Sequence, residues 1–288
     1  MKDKRGIRYS GSSGLKLIQS LYSQGQFVFS IEDADQIGRE IGLSPFSVRI
    51  CLSEMIASGW IKRIRRGLYV GTGSLPGFLN VPSFVIATQL VRPSAISHWS
   101  ALSHHDLIEQ IPQQVFATTT KKVVTPSMRD SKSTRSNPHS WIIEGVSYRF
   151  ITVKPEHFFG WEEVWLDEHF RVPVFVKERA LLDIFATPRL FGGISLGLEI
   201  LEDHLQELEI SKLVEFALKY GVSTVSRRLG WALERMGVPL DSLALLLPSP
   251  LTSYQPFDPT RPKSGSYNKR WKLIINLPGM TKNEGPES

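Results

Sequence analysis

Two amphipathic segments joined by almost nothing constrain this chain more than any other feature. In residues 31–42, IEDADQIGREIG, the apolar Ala34, Ile37 and Ile41 recur at helical spacing. Acids fill the first turn and Gly42 stands where a C-terminal cap belongs. Ser44 and Pro45 then make an N-cap and first-turn pair, and Val48, Leu52, Met55 and Ile56 carry an apolar stripe on to Gly59. Only Gly42 and Leu43 separate the two helices. Helices joined so tightly form the helix-turn-helix unit, whose second helix lies in the DNA major groove.

The flanking residues extend the pattern. Leu15, Ile18, Leu21 and Tyr22 predict a first helix that stops near Gly25, and Phe27 to Phe29 a short extended piece. After the helix pair, Trp60, Ile61, Ile64, Leu68, Tyr69 and Val70 predict two strands around Arg65-Arg66-Gly67. A glycine-tipped hairpin carrying Lys62, Arg63, Arg65 and Arg66 suits a DNA-binding wing, because its tip can approach phosphates and set charge along the backbone. On the third helix the face opposite the core stripe holds Phe46, Ser47, Ile50, Ser53 and Glu54, with Arg49 on the flank. Ser44, Ser47, Arg49 and Ser53 are therefore the candidates for phosphate or base-edge contacts, beside the four wing cations. Phe46 and Ile50 fit either thymine methyl groups or a protein interface. Cys51, the one cysteine, lies at the edge of the core stripe and reads as packing.

Charge agrees with this assignment. Residues 1–73 hold 11 Lys and Arg against 6 Asp and Glu, leaving 23 against 22 in the rest, so nearly all of the net +6 belongs to the first quarter. The expected organisation is a DNA-binding domain over 1–73, a Gly- and Pro-rich linker over 74–82, and a second domain over 83–288. Helices are predicted at Ser83–Leu90, Ser97–Leu102, Lys177–Ala186, Leu196–Leu205, Ser211–Tyr220 and Thr224–Met236. Strands are predicted at Gln114–Thr120, Trp141–Glu144, Val146–Val153, His169–Val176 and Trp271–Asn276, with Glu144-Gly145 as a hairpin turn. The expected class is α+β: a winged helix-turn-helix followed by a mixed domain. No apolar run approaches the roughly 20 residues of a membrane span. With a single cysteine, the expected compartment is a reducing cytoplasm.

No catalytic constellation competes with DNA binding. A Gly-rich phosphate loop, a Gly-x-Ser-x-Gly elbow and a His-Glu-x-x-His pair are all missing. His98, His104, His105 and Asp106 lie close in sequence, but no second cluster completes a ligand set, so neither metal nor cofactor is expected. Residues 121–139 carry Lys121, Lys122, Arg129, Lys132 and Arg135 against Asp130 alone, which fits either a second phosphate contact or a solvated loop.

At this point the residues of the second domain resemble the AbiEi family of antitoxins from type IV toxin-antitoxin and phage-defence systems. Four segments carry the likeness. They are Ala95-Ile96-Ser97 through Ala101-Leu102, His104-His105 and Glu109-Gln110-Ile111-Pro112; Glu178-Arg179-Ala180-Leu181-Leu182-Asp183 with Pro188 and Gly192-Gly193; Arg227-Arg228-Leu229-Gly230 with Leu233-Glu234 and Gly237; and Asp258-Pro259 with Trp271 and Asn276. Asp106 stands where the family usually has Gly, which requires Asp to accept a left-handed turn, and Ala180 replaces the customary Thr. The resemblance implies a non-enzymatic antitoxin that represses its own operon and counters a nucleotidyltransferase-type toxin. It offers Glu178, Arg179, Asp183, Arg227, Arg228 and Glu234 as candidate antitoxin-surface residues, although helix ion pairs would account for the same letters. The expected operator is an inverted repeat of double-stranded DNA, bound by a monomer or weak dimer that pairs on it. Two alternatives stay open. One is an orphan regulator with a ligand-sensing second domain; the other is a nuclease, for which no Glu-x-Lys follows the linker.

Overall fold

The computed structural model describes residues 13–72, 80–125, 128, 140–249 and 252–278. Most of the linker expected at 74–82 and most of the basic segment 121–139 lie outside the described residues. The chain divides into two compact units. One comprises residues up to Arg92 with Ile142–Val146 and Val164–Val172; the other comprises Pro93–Trp141, Ser147–Glu163 and the remainder from Pro173.

The first unit is built on the winged helix-turn-helix. Its elements are α1 (Ser13–Ser23), β1 (Val28–Ser30), α2 (Ile31–Glu40), α3 (Pro45–Ala57), β2 (Ile61–Arg65) and β3 (Leu68–Gly71), followed by α4 (Ser83–Leu90). The strands form an antiparallel sheet in the order β1-β3-β2. Local chemistry fixes each helix start. Ser30 closes a capping box, its Oγ accepting from the Asp33 amide at 3.1 Å while Asp33 accepts from the Ser30 amide at 2.7 Å. Ser44 accepts from the Ser47 amide at 3.1 Å, with Pro45 in the first turn. Gly42, at φ +79°, supplies the left-handed residue that ends α2. Gly38 is as decisive: a Cβ there would stand 2.3 Å from Cγ2 of Val48, so α2 and α3 pack closer than any larger residue permits. Leu17, Leu21, Phe29, Ile37, Val48, Leu52 and Ile61 fill the core between helices and sheet, each worth about 1.5–3 kcal/mol against exposure.

Beyond these elements the chain forms a mixed six-stranded sheet. Its strands are β4 (Ser94–Ile96), β5 (Gln114–Thr119), β6 (Ser140–Ile143), β7 (Val146–Thr152), β8 (Trp161–Trp165) and β9 (Arg171–Phe175), in the order β6-β7-β5-β4-β9-β8. β4 runs antiparallel to β5 and parallel to β9, and β5 runs parallel to β7. The helix α5 (His98–His104) follows β4. Asp106 takes φ +56°, so Asp does hold the left-handed turn where a glycine was expected. Glu144 at +50° and Gly145 at +80° make the β6–β7 hairpin turn.

Behind the sheet come α6 (Lys177–Ala186), α7 (Ser195–His204), α8 (Ile210–Tyr220), α9 (Ser223–Arg235) and the short α10 (Leu240–Leu243). α6 is their hub, packed by α5, α7, α8 and α9 and buried along its length from Glu178 to Phe185. A small sheet of β10 (Gln255–Pro256), β11 (Ser266–Asn268) and β12 (Leu273–Ile275), in the order β10-β12-β11, closes this domain. Trp271, fully buried, lies where a Cβ on Gly230 would meet its ring at 2.2 Å.

Candidate nucleic-acid interface

The exposed face of α3 is set by what the core leaves over. Val48, Cys51, Leu52 and Met55 point inward, while Phe46 is 74% exposed and Ile50 44%. Ser53 is also exposed, and Ser47 half-buried. Ser44 is occupied as the cap, its Oγ lying 2.9 Å from Ser47 Oγ. Arg49 is held rather than free: it donates to the Pro45 carbonyl at 2.6 Å and pairs with Asp35 of α2 at 3.3 Å. That pair is solvent-exposed and so worth little. It keeps the guanidinium on the α2 side of the helix.

The wing presents its cations differently. Ile61, Ile64 and Leu68 are buried beneath it, and the register slips between Arg63, opposite Tyr69, and Arg65, opposite Leu68. This bulge breaks the strict alternation of the strand, so Arg63, Arg65 and Arg66 all face outward. Among the described residues none of the three pairs with an acid. Lys62 is the exception, its Nζ lying 2.7 Å from Oε2 of Glu144 in the hairpin turn. Glu144 as a partner of the wing was not legible in the sequence, since nothing local links residues 82 positions apart. The sheet itself anchors the tip: the Gly67 carbonyl accepts the Ile31 amide at 2.9 Å.

The six candidate antitoxin-surface residues of the second domain fall elsewhere, and this corrects the expectation. Five of them are buried. Arg179, 1% exposed, pairs with Asp183 one turn on, and its guanidinium carbon lies 4.7 Å from the ring centre of Phe175, 5.1 Å from Phe159 and 5.3 Å from Tyr220. Asp183 also approaches Nδ1 of His98 at 3.3 Å. His98 is fully buried at φ +53°, stacked on Phe191 at 5.7 Å and Phe116 at 6.2 Å. Burial lowers its pKa, outweighing the upward pull of Asp183. The imidazole is therefore neutral, and its contact with Asp183 is a polar contact rather than an ion pair.

Glu178 accepts the Glu209 amide at 3.2 Å at the start of α8 and pairs with Lys212 at 3.4 Å. Arg227 donates to the carbonyls of Ser253 at 2.9 Å and Lys272 at 3.2 Å. Arg228 donates to those of Phe185 at 3.3 Å and Pro256 at 3.2 Å, and burial pushes its pKa down to about 10. Glu234, half-buried, takes Arg270 and the indole N–H of Trp271. Arg227, Arg228 and Glu234 tie α9 to the small sheet and its flanking turns, while Glu178 ties α6 to the start of α8. They hold the inside of the domain rather than offering a face to a partner.

Residues 16–70 match the family model described as a transcriptional regulator, AbiEi antitoxin. Over those residues the chain is similar to AbiEi-type regulators. The match covers α1 through β3, whereas the resemblance read from the sequence rested on segments of the second domain. Over most of its length the chain shares its fold with the RV2827C protein from Mycobacterium tuberculosis. That crystal structure aligns with a TM-score of 0.59 at 16% identity, covering 91% of this chain and 90% of the other. No curated protein matches the chain by sequence. Among the described residues, no helix is long and apolar enough to cross a membrane, and no three His, Cys, Asp or Glu side chains gather as a metal site. Even the neighbours His104 and His105 present their rings edge to face, 5.1 Å apart.

Proposed function

We propose that the chain is a DNA-binding repressor of its own promoter and the antitoxin of a type IV system, acting in the cytoplasm without catalysis against a nucleotidyltransferase-type toxin. Residues 1–73 are the DNA-binding domain in this reading and 83–288 the antitoxin domain. The observation that carries it is the row Arg63, Arg65 and Arg66, exposed and unpaired by any described acid, on the wing of an AbiEi-type head. Ser47, Ser53 and Arg49 supply the base-edge and phosphate contacts of α3, and Phe46 with Ile50 supports pairing of two heads on an inverted repeat.

Binding isotherms at several salt concentrations, on the gene's own promoter and on random DNA, test the proposal. Each phosphate contact releases counterions and adds about 0.9 to the log-log salt slope. Arg65→Ala with Arg66→Ala should flatten that slope by up to roughly two units on both DNAs. An unchanged slope removes the wing from the interface. Ser47→Ala should cost about 1–3 kcal/mol on the promoter and far less on random DNA. Co-expression with the product of the adjacent gene tests the antitoxin half: rescue of growth by residues 1–75 alone would detach that role from the second domain.

A further inference from the structure

Helix α1 carries apolar residues on more than one face. Leu17 and Leu21, both fully buried, belong to the core of the head. Leu15, Ile18, Gln19 and Tyr22, spaced by three and four along an adjoining face, line a cavity of about 480 Å³. That volume lies within the roughly 300–1,000 Å³ of small-molecule sites. Further walls come from Phe27, Trp60 and Phe170, with Asn80 and His169 at exposed positions. Every one of these residues lies in the first compact unit.

Rings dominate the lining. Tyr22 stacks on Phe27 with centroids 4.9 Å apart, and Phe170 meets Phe27 edge to face at 5.0 Å. The turn that presents Phe170 is fixed by Asp167, whose Oδ1 accepts the amides of His169 at 2.8 Å and Phe170 at 2.9 Å. Among the described residues that line the cavity, none is Lys, Arg, Asp or Glu; the exposed polar groups are the amides of Gln19 and Asn80 and the imidazole of His169. A charged ligand would lose hydration there without a counter-ion to replace it, whereas a flat aromatic face packs well against such walls. The lining therefore selects a neutral, planar molecule with hydrogen-bonding groups at its edge.

Three of the walls are fastened to the base of the wing. The Phe27 carbonyl accepts the Gly71 amide at 2.9 Å, and a Cβ on Gly71 would collide with the Tyr22 hydroxyl. The Trp60 carbonyl accepts the Thr72 amide and the Thr72 hydroxyl, both at 3.1 Å. Gly71 in turn pairs with Ile61, the first residue of β2, while the Trp60 amide donates to the Met55 carbonyl near the end of α3. A molecule in the cavity thus touches the junction between α3 and the wing.

We propose that this cavity is an effector site for a small, neutral, planar aromatic molecule, whose binding is linked to promoter affinity through Trp60 and the base of the wing. The linkage rests on the DNA-binding reading above; the binding site itself does not.

Calorimetric titration of the full chain with indole, cyclohexanol and indole-3-acetate, without DNA, tests the site. Saturable binding of indole at or below roughly millimolar concentration is the expected result, with cyclohexanol and indole-3-acetate each at least about tenfold weaker. Gln19→Trp, at an exposed position, should fill the cavity and abolish binding while melting as the parent does. Phe170→Leu should weaken binding at least about tenfold. Absence of saturable indole binding, equal binding of cyclohexanol or indole-3-acetate, or unaltered binding by Gln19→Trp overturns the proposal. Promoter isotherms with and without saturating indole then test the linkage: a shift of at least about fivefold, absent in Gln19→Trp, is expected. Indole that binds while promoter affinity stays unchanged overturns the linkage. A chain that binds indole but no promoter overturns the DNA-binding reading and leaves the site standing.

Discussion

Replacing Arg179 with Met is the sharpest test of whether the Glu178 to Asp183 segment is interior framework or partner surface. The side chain is 1% exposed, so methionine must fill the volume among Phe159, Phe175 and Tyr220 while Asp183 loses its cation. Removing one partner of a buried ion pair costs about 3–5 kcal/mol, because the remaining charge stays buried. Each cation–π contact contributes about 0.5–2 kcal/mol, and methionine recovers part of that through sulfur–aromatic packing. The net expectation is a loss of about 3–5 kcal/mol, or roughly 6–20 °C in melting temperature for a domain of this size. Arg179→Met combined with Asp183→Leu should recover most of it, since neither charge then remains. Thermal and urea unfolding, followed by near-ultraviolet circular dichroism, would read all three variants. If Arg179→Met melts within about a degree of the parent yet fails to neutralise the toxin, the residue is a contact and the interior assignment is wrong.

Two further outcomes follow from single contacts. Glu144→Gln should free Lys62, steepening the salt slope of DNA binding by up to about 0.9 and tightening random-sequence binding; an unchanged isotherm would mean that Lys62 never reaches phosphate. Because His98 has a lowered pKa, the folded chain refuses a proton that the unfolded chain accepts below about pH 6.5. Stability is therefore complete above that pH and falls on acidification by up to about 1.4 kcal/mol per unit, with His104 adding in the same direction. His98→Asn keeps a residue that tolerates φ +53° and should flatten the dependence seen in unfolding between about pH 7.5 and 5.5.

The head was legible because every part of it writes locally. Gly42, the Ser44-Pro45 cap and the Arg65-Arg66-Gly67 tip are short-range signals, and the stripes of α1 to α3 have the period of a helix facing one core. The second domain was legible in its long helices and in β5, β7 and β9, and much less so at its short strands. β4 has three residues, all buried, which leaves no alternation to read, and β8, Trp-Glu-Glu-Val-Trp, is an edge strand largely exposed on both faces. The positions of the charged motif residues could not be read at all. An Arg and an Asp four apart look the same on a wet helix and in a core; three aromatic rings brought from β9, α8 and the turn before β8 decide the matter for Arg179.

One bond in the head bears on how DNA would be met. The carbonyl of Gly67, at the very tip of the wing, takes the first amide of α2, and β3 is hydrogen-bonded on both sides, by β1 and β2. In many hairpins the tip is the loosest point, but here it is bolted to the helix that carries the recognition helix α3. Wing tip and helix pair are therefore tied by a backbone bond, and a wing docked on DNA would carry its spacing from α3 with it. One residue inserted between Arg66 and Gly67 would reset that spacing against the groove, and affinity would fall although every cation was still present.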